Sequence, residues 1–276
     1  MLSLILLAGL CLILYPSLSD WWNSFHQTRA IASYTEDVEN TSEEERQLLL
    51  EEARVYNDML TKTGNSFILS KEEETKYMSL LNVSGTGIMG YLNIPSIDVN
   101  LPIYHGTDET VLQIAIGHIA GSSLPIGGSG THCLLSGHRG LPSARLFTDL
   151  DQVKEGDIFL ITVLDELITY QVDQIRIVLP EEVEELAIEK GEDYCTLITC
   201  TPYGVNTHRI LVRGRRVNNL AGEAVVSAEA VRIPNYLVIP AIGIPLLFLI
   251  LAAMLLYYRI KPPKKTKAEL LEELWK

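Results

Sequence analysis

Cysteine is scarce in this chain: four residues, at positions 11, 133, 195 and 200, in a sequence of 276. Small secreted scaffolds stapled by disulfides are cysteine-dense, so that architecture is excluded. Cys11 sits in an apolar leader, while Cys133 and Cys195 sit in strand-like runs where buried free thiols are common. A bond between those two stays open. Basic residues are also short, with 22 Lys and Arg against 35 Asp and Glu and a formal net charge of −13. A nucleic-acid partner needs a basic face, so this balance argues against one. The deficit is concentrated in residues 36–75, with 12 acidic and 4 basic side chains, which reads most simply as a solvated helical stretch. No internal repeat is visible. The histidines show no metal-binding spacing, because His132 and His138, with Cys133 between them, make poor zinc geometry on a strand.

Long apolar runs occur only at the two ends. Residues 236–258 (YLVIPAIGIPLLFLILAAMLLYY) carry no charge over 23 positions. A helix of about 20 residues crosses the hydrocarbon core of a bilayer, so this run is long enough to span. Arg259, Lys261, Lys264, Lys265 and Lys267 follow directly, and the positive-inside rule puts that end in the cytoplasm and the preceding domain outside. The N-terminal apolar run barely reaches spanning length by Leu18, and Trp21 and Trp22 follow it as interfacial residues do. An uncleaved signal-anchor is the favoured reading over a secretory signal, and the missing basic flank points to a native start upstream of Met1.

The expected organisation is a hydrophobic signal-anchor at 1–18, a helical membrane-proximal region at 19–87, a β-rich domain at 88–217, a polar linker at 218–233, a transmembrane helix at 234–258 and a basic tail at 259–276. Residues 41–60 read as a helix, capped by Thr41 or Ser42 and with Leu49, Ala53, Tyr56 and Leu60 at helical spacing. A second helix spans 71–81 behind the capping pattern Ser70-Lys71-Glu72-Glu73. From Ile88 onward short β-type runs take over, at 89–94, 99–103, 131–136, 158–164, 168–178, 195–200 and 208–217. Short helices are expected at 109–116 and 143–150. Seven or eight strands in so short a stretch imply a closed barrel or a sandwich.

Three residues carry chemistry. Cys200 ends one strand-like run, Arg209 lies in the next, and His138 follows Ser136-Gly137 upstream. A thiol attacks a carbonyl well only as thiolate, and a neighbouring imidazolium stabilises that anion and can later protonate an amine leaving group. Arg209 presents several N–H donors for a substrate carbonyl or an oxyanion. Thr199 points away from Cys200 on a regular strand, where its hydroxyl helps position the adjacent backbone.

Together these residues resemble the sortases. Thr196-Leu197-Ile198-Thr199-Cys200 followed by Arg209 is similar to the family's T-L-x-T-C…R signature, and Ser136-Gly137-His138 to its T/S-G-H element. Ile94–Ile97 (IPSI), Leu101–Thr107 (LPIYHGT), Gly117–Ser123 (GHIAGSS), Ser136–Phe147 (SGHRGLPSARLF) and Thr199–Gly214 (TCTPYGVNTHRILVRG) resemble the pilus-associated class C enzymes. The resemblance implies a mainly β fold, an eight-stranded barrel with short helices, and a membrane-anchored cysteine transpeptidase that needs no cofactor. It implies cleavage of an LPXTG-like sorting signal between Thr and Gly, a thioacyl-enzyme on Cys200 and transfer to a lysine amine of a pilin subunit. The implied roles are nucleophile for Cys200, general acid/base for His138 and oxyanion stabiliser for Arg209. The implied partners are pilins or surface proteins with sorting signals, a lysine-bearing acceptor and the cell membrane of a Gram-positive bacterium. Class C members usually carry a lid with an Asp-Pro-aromatic motif. The corresponding stretch here, residues 63–70 (TGNSFILS), has no Asp-Pro, so a looser lid is expected, with Phe67 as candidate plug and Asn65 as a weak substitute for the acidic anchor. Anchoring of surface proteins to cell-wall peptide and a non-catalytic membrane-tethered binding module are the competing readings. A papain-like protease fits poorly, since it places cysteine before histidine.

Overall fold

The computed structural model describes residues 2–219. Its eight strands are β1 (Ile88–Ile94), β2 (Val99–His105), β3 (Ile116–His118), β4 (Thr131–Ser136), β5 (Ile158–Val163), β6 (Glu166–Val178), β7 (Asp193–Thr201) and β8 (His208–Val217). They close into one barrel in the order β1-β2-β3-β4-β7-β8-β6-β5. Closure removes the unpaired edges that an open sheet would present. All neighbours run antiparallel except β2 with β3 and β4 with β7.

The strands close because their apolar residues alternate. In β5 the side chains of Phe159, Ile161 and Val163 are buried while Ile158, Leu160 and Thr162 are only partly so. The period of two turns one set toward the barrel axis. Leu92, Ile103, Leu135, Tyr170, Leu197 and Val212 join that interior from six other strands.

Helices pack outside the barrel. Helix α1 (Leu2–Asn40) contains Pro16 and carries the buried Tyr34, whose hydroxyl donates to the Met89 carbonyl (3.0 Å) and accepts from the Leu164 amide (2.7 Å). Helix α2 (Glu43–Thr63) is N-capped by Ser42, which accepts from the Glu45 amide, and buries Leu50, Ala53, Tyr56, Asn57 and Leu60 along one stripe. Asn57 exchanges two hydrogen bonds with the backbone of Leu124, tying α2 to the loop between β3 and β4. Helix α3 (Lys71–Ser79) begins with the reciprocal box between Ser70 and Glu73 that the sequence leads one to expect.

Three local expectations differ from the structure. The helix expected at 109–116 is only α4 (Glu109–Leu112), because Ile116 leaves it to pair with Ile103 as the first residue of β3. The strand β3 itself is too short to register as a periodic run. The helix expected at 143–150 is a series of turns, with a 3-10 segment only at Leu150–Gln152. Its backbone groups are taken from outside: Asn23 donates to the Ser143 carbonyl (2.7 Å), Asp20 accepts from the Arg145 amide (2.8 Å), and the Phe147 amide donates to the His138 carbonyl (3.1 Å). Leu146, at φ +40, is also outside the helical region. Helix α3 stops at Ser79, two residues before its expected end.

Among the described residues no helix is long and apolar enough to cross a membrane. The expected transmembrane helix at 234–258, the basic tail and all but two residues of the linker lie outside the described residues.

Candidate active site

Strand parity divides β7 into two faces. Cys195 and Leu197 belong to the barrel interior, so Thr196, Ile198 and Cys200 turn outward. The same rule turns Leu134 and Ser136 of β4 outward, with Arg209 and Leu211 of β8. Leu134, Ile198 and Leu211 meet Leu186 in a separate apolar cluster, with Ile119 and Val178 packed against it. This patch lies on the outer wall beside Cys200, floored by three adjacent strands.

Register brings the three candidate residues together. Ser136 of β4 pairs with Ile198 of the parallel β7. Beyond that pair the Gly137 amide donates to the Ile198 carbonyl (3.1 Å), and the Thr199 hydroxyl donates to the Gly137 carbonyl (2.7 Å). The two chains thus advance in step, and His138 comes level with Cys200. On the other side Cys200 pairs with Arg209 of β8. Imidazole, thiol and guanidinium occupy one end of three neighbouring strands, each side chain between buried and exposed. Thr199, inward and 2% exposed, works as sequence parity suggests: it secures the backbone next to His138 and faces away from the sulfur.

The surrounding contacts stiffen this end. Gly137 leaves no room for a side chain, since a Cβ there would sit 2.8 Å from the Phe147 ring and 2.9 Å from Ile116. Arg139 donates to the Thr201 hydroxyl (3.1 Å) and pairs with Asp151 (2.5 Å), fastening the His138 loop to the end of β7. Arg209 donates through Nη1 to the carbonyls of Asn206 (3.2 Å) and His208 (3.1 Å), so its fork is anchored by the β7–β8 turn. Glu109 Oε2 lies 3.6 Å from His138 Nε2. Sequence reasoning did not find Glu109 or Arg139. Arg139 adjoins His138 and was open to discovery on that ground; nothing local in the sequence reveals where Glu109 points. Cys133 and Cys195 are register partners in β4 and β7, both buried and both free thiols, so the bond left open above is not formed.

The expected lid stretch bridges two loops that flank the apolar patch. The Ser66 amide donates to the Gly121 carbonyl (3.1 Å) and Asn65 Nδ2 donates to the Leu186 carbonyl (2.8 Å), joining the β3–β4 loop to the β6–β7 loop. Asn65 thus ties this stretch to the β6–β7 loop through a backbone carbonyl. Phe67 is 44% exposed and Ile68 is 91% exposed, so the candidate plug does not bury its ring.

His132 supports the same β6–β7 loop from below. Its Nδ1 meets the Ala187 carbonyl (2.9 Å) and its Nε2 the Thr196 hydroxyl (2.7 Å). Burial is the main cause that pushes this imidazole down from 6.5 to about 4. Between those values the unfolded chain binds a proton that the folded one refuses, so stability falls as pH falls. The expected loss is about 3 kcal/mol from pH 6.5 to pH 4. Urea unfolding across that range should show a shallower pH dependence in His132→Gln than in the unsubstituted protein, and equal slopes would refute the assignment.

Comparison with known proteins agrees with this geometry. Residues 92–217 match the family model described as the sortase domain. Sortase C1 from Streptococcus agalactiae is 53% identical, with a TM-score of 0.68 over 69% of this chain and 99% of that one. A Streptococcus pneumoniae sortase C, whose crystal structure is described as informing catalysis and pilin substrate specificity, is 43% identical with a TM-score of 0.63, covering 70% of this chain and 98% of that one. Sortase A of Streptococcus agalactiae serotype III (strain NEM316) is 34% identical over 128 residues, 45% of this chain. The chain spans about half the length of that curated relative, 51% of it. An eight-stranded barrel that brings Cys200, His138 and Arg209 to one end, matched almost end to end by solved class C enzymes, leads to one conclusion: the chain belongs to the sortase family of cysteine transpeptidases, and within it to class C.

Proposed function

We propose that this protein cleaves an LPXTG-like sorting signal between Thr and Gly and joins the threonine carbonyl to a lysine amine of a pilin subunit. The observation that carries the reading is the shared end of β4, β7 and β8, where His138, Cys200 and Arg209 sit level on the outer wall next to an apolar patch. Cys200 Sγ attacks the threonine carbonyl carbon, and Arg209 N–H groups stabilise the oxyanion that forms. As the tetrahedral intermediate collapses, the C–N bond breaks and His138 gives its proton to the departing glycine amine. The thioester left on Cys200 is attacked by the acceptor amine. That amine loses a proton to His138, an amide forms and the thiolate is regenerated. The apolar patch suits the leucine and proline side chains of the signal.

The uncharged run 236–258 and the basic residues after it support attachment to the cell membrane, with the catalytic unit outside and the tail in the cytoplasm. Trapping decides the chemistry. Incubation with a sorting-signal peptide should add the acyl mass to the Cys200 peptide, and a binding module would add nothing. Offering a pilin lysine peptide and a cell-wall peptide in parallel then separates polymerisation from wall anchoring.

The lid stretch supports a gate over this groove. Gly121 has φ +84, and a Cβ on it would fall 1.8 Å from the Ser66 carbonyl oxygen, so the lid rests directly on bare backbone. Gly121→Ala should dislodge the lid. A backbone hydrogen bond is worth about 1 kcal/mol net, so the open population and the rate of short-peptide hydrolysis should rise about fivefold. An unchanged rate, with melting temperature showing the variant folded, would mean the stretch does not limit access.

A further inference from the structure

We propose that Glu109 is a positioning residue for His138, a carboxylate that pairs with the ring and holds it turned for proton transfer. The inference rests on the catalytic reading above. Among the described residues, Glu109 makes the one ion pair recorded for His138, at 3.6 Å to Nε2. That contact engages Nε2 and leaves Nδ1 as the other ring nitrogen for proton transfer. The carboxylate is itself oriented: Gln113 Nε2 donates to its other oxygen at 2.5 Å, one helical turn along. The Gln113 hydrogen bond, and His138 to a smaller degree, hold the Glu109 carboxyl below the usual carboxylate range.

The segment that bears Glu109 is fixed from outside the barrel. Gln27 of α1, 9% exposed, donates to the Ile114 carbonyl (2.7 Å) just past α4, and Asn23, one turn earlier, holds Ser143 in the loop that follows His138. One face of α1 therefore sets the spacing between the carboxylate and the ring. The other charged groups around His138 have different partners or tasks. Arg139 is turned to Asp151, Arg145 pairs with Asp149, and Cys200 and Arg209 come from β7 and β8. Glu109 is thus the charged group placed to hold the His138 ring.

The pair is exposed, with 70% of the Glu109 side chain accessible, so its effect is modest and sensitive to salt. In Glu109→Gln the rate of acyl-enzyme formation on a sorting-signal peptide, measured without any acceptor amine, should fall about three- to fivefold, the scale of an exposed ion pair. KM should not change. Raising the salt to about 1 M should bring the unsubstituted protein toward the variant and leave the variant unmoved, because at that ionic strength the screening length is about 3 Å. A purely structural side chain would show no such convergence. Alkylation of Cys200 by iodoacetamide, followed at the Cys200 peptide, should slow by a similar factor, and it needs no substrate. If the acyl-enzyme forms in both proteins at one rate and alkylation is equal, this inference fails and the catalytic reading stands. If no acyl-enzyme forms in either protein, the catalytic reading fails, and the alkylation ratio still reports on the pair. Loss confined to the step that consumes an acceptor amine would make Glu109 an acceptor-binding residue and overturn the proposal.

Discussion

Cys200→Ala is expected to remove all measurable cleavage of a sorting-signal peptide, and His138→Ala nearly all of it. The two effects differ in origin. Without the sulfur no acyl-enzyme can exist, and removal of a catalytic nucleophile typically costs about 10⁶ in kcat. Without the imidazole the nucleophile remains, but the leaving amine departs unprotonated, and general acid–base catalysis contributes about 10²–10⁴. Both substitutions should leave the fold intact. Cys200 lies on the outer wall, and its strand is secured by pairing on both sides, with β4 and with β8. His138 leaves its backbone carbonyl bonded to Phe147 whatever side chain it carries. The measurement is peptide hydrolysis by mass spectrometry beside a melting curve. A Cys200→Ala protein that still cleaves would show that another group forms the covalent intermediate, and the outward convergence of β4, β7 and β8 would lose its meaning.

What the sequence reveals about this molecule depends on the distance over which each feature is determined. The runs at 131–136 and 208–217 are strands with the expected limits because alternation and flanking turn residues are local properties. The box at Ser70 and Glu73 is local as well. The run 143–150 reads as helix by the same local rules, yet Asp20 and Asn23, more than a hundred positions away, take its backbone groups first. β3 exists because three residues find partners in β2 and β4, and no periodicity is discernible in three residues. The site divides similarly. Cys200 and Arg209 are linked by one hairpin and His138 by a motif, so all three are legible. Gly121 matters because Ser66 rests on it, Glu109 because the barrel carries α4 to the end of β4, and the sequence shows neither.

Arg209→Lys is expected to lower kcat about a hundredfold with a much smaller change in KM. Loss of one oxyanion donor typically costs about 10²–10³ in rate. Charge is preserved in this substitution, so the fall isolates geometry. In the structure Nη1 is committed to the carbonyls of Asn206 and His208, which fixes the plane of the guanidinium and leaves its other N–H groups to meet an oxyanion. An ammonium has three donors on one atom. If it stays with the turn carbonyls it sits too far back to reach the substrate, and if it reaches forward the turn loses its tether. The fork does both at once because its donors are spread over a rigid plane. Since the oxyanion develops only on attack, the loss belongs in kcat, and binding of the signal, which we propose uses the apolar patch, is left largely intact. Steady-state hydrolysis of a short sorting-signal peptide separates the two constants. A lysine variant with the original kcat would show that a point charge suffices beside Cys200, and the anchored fork would then be a feature of the turn alone.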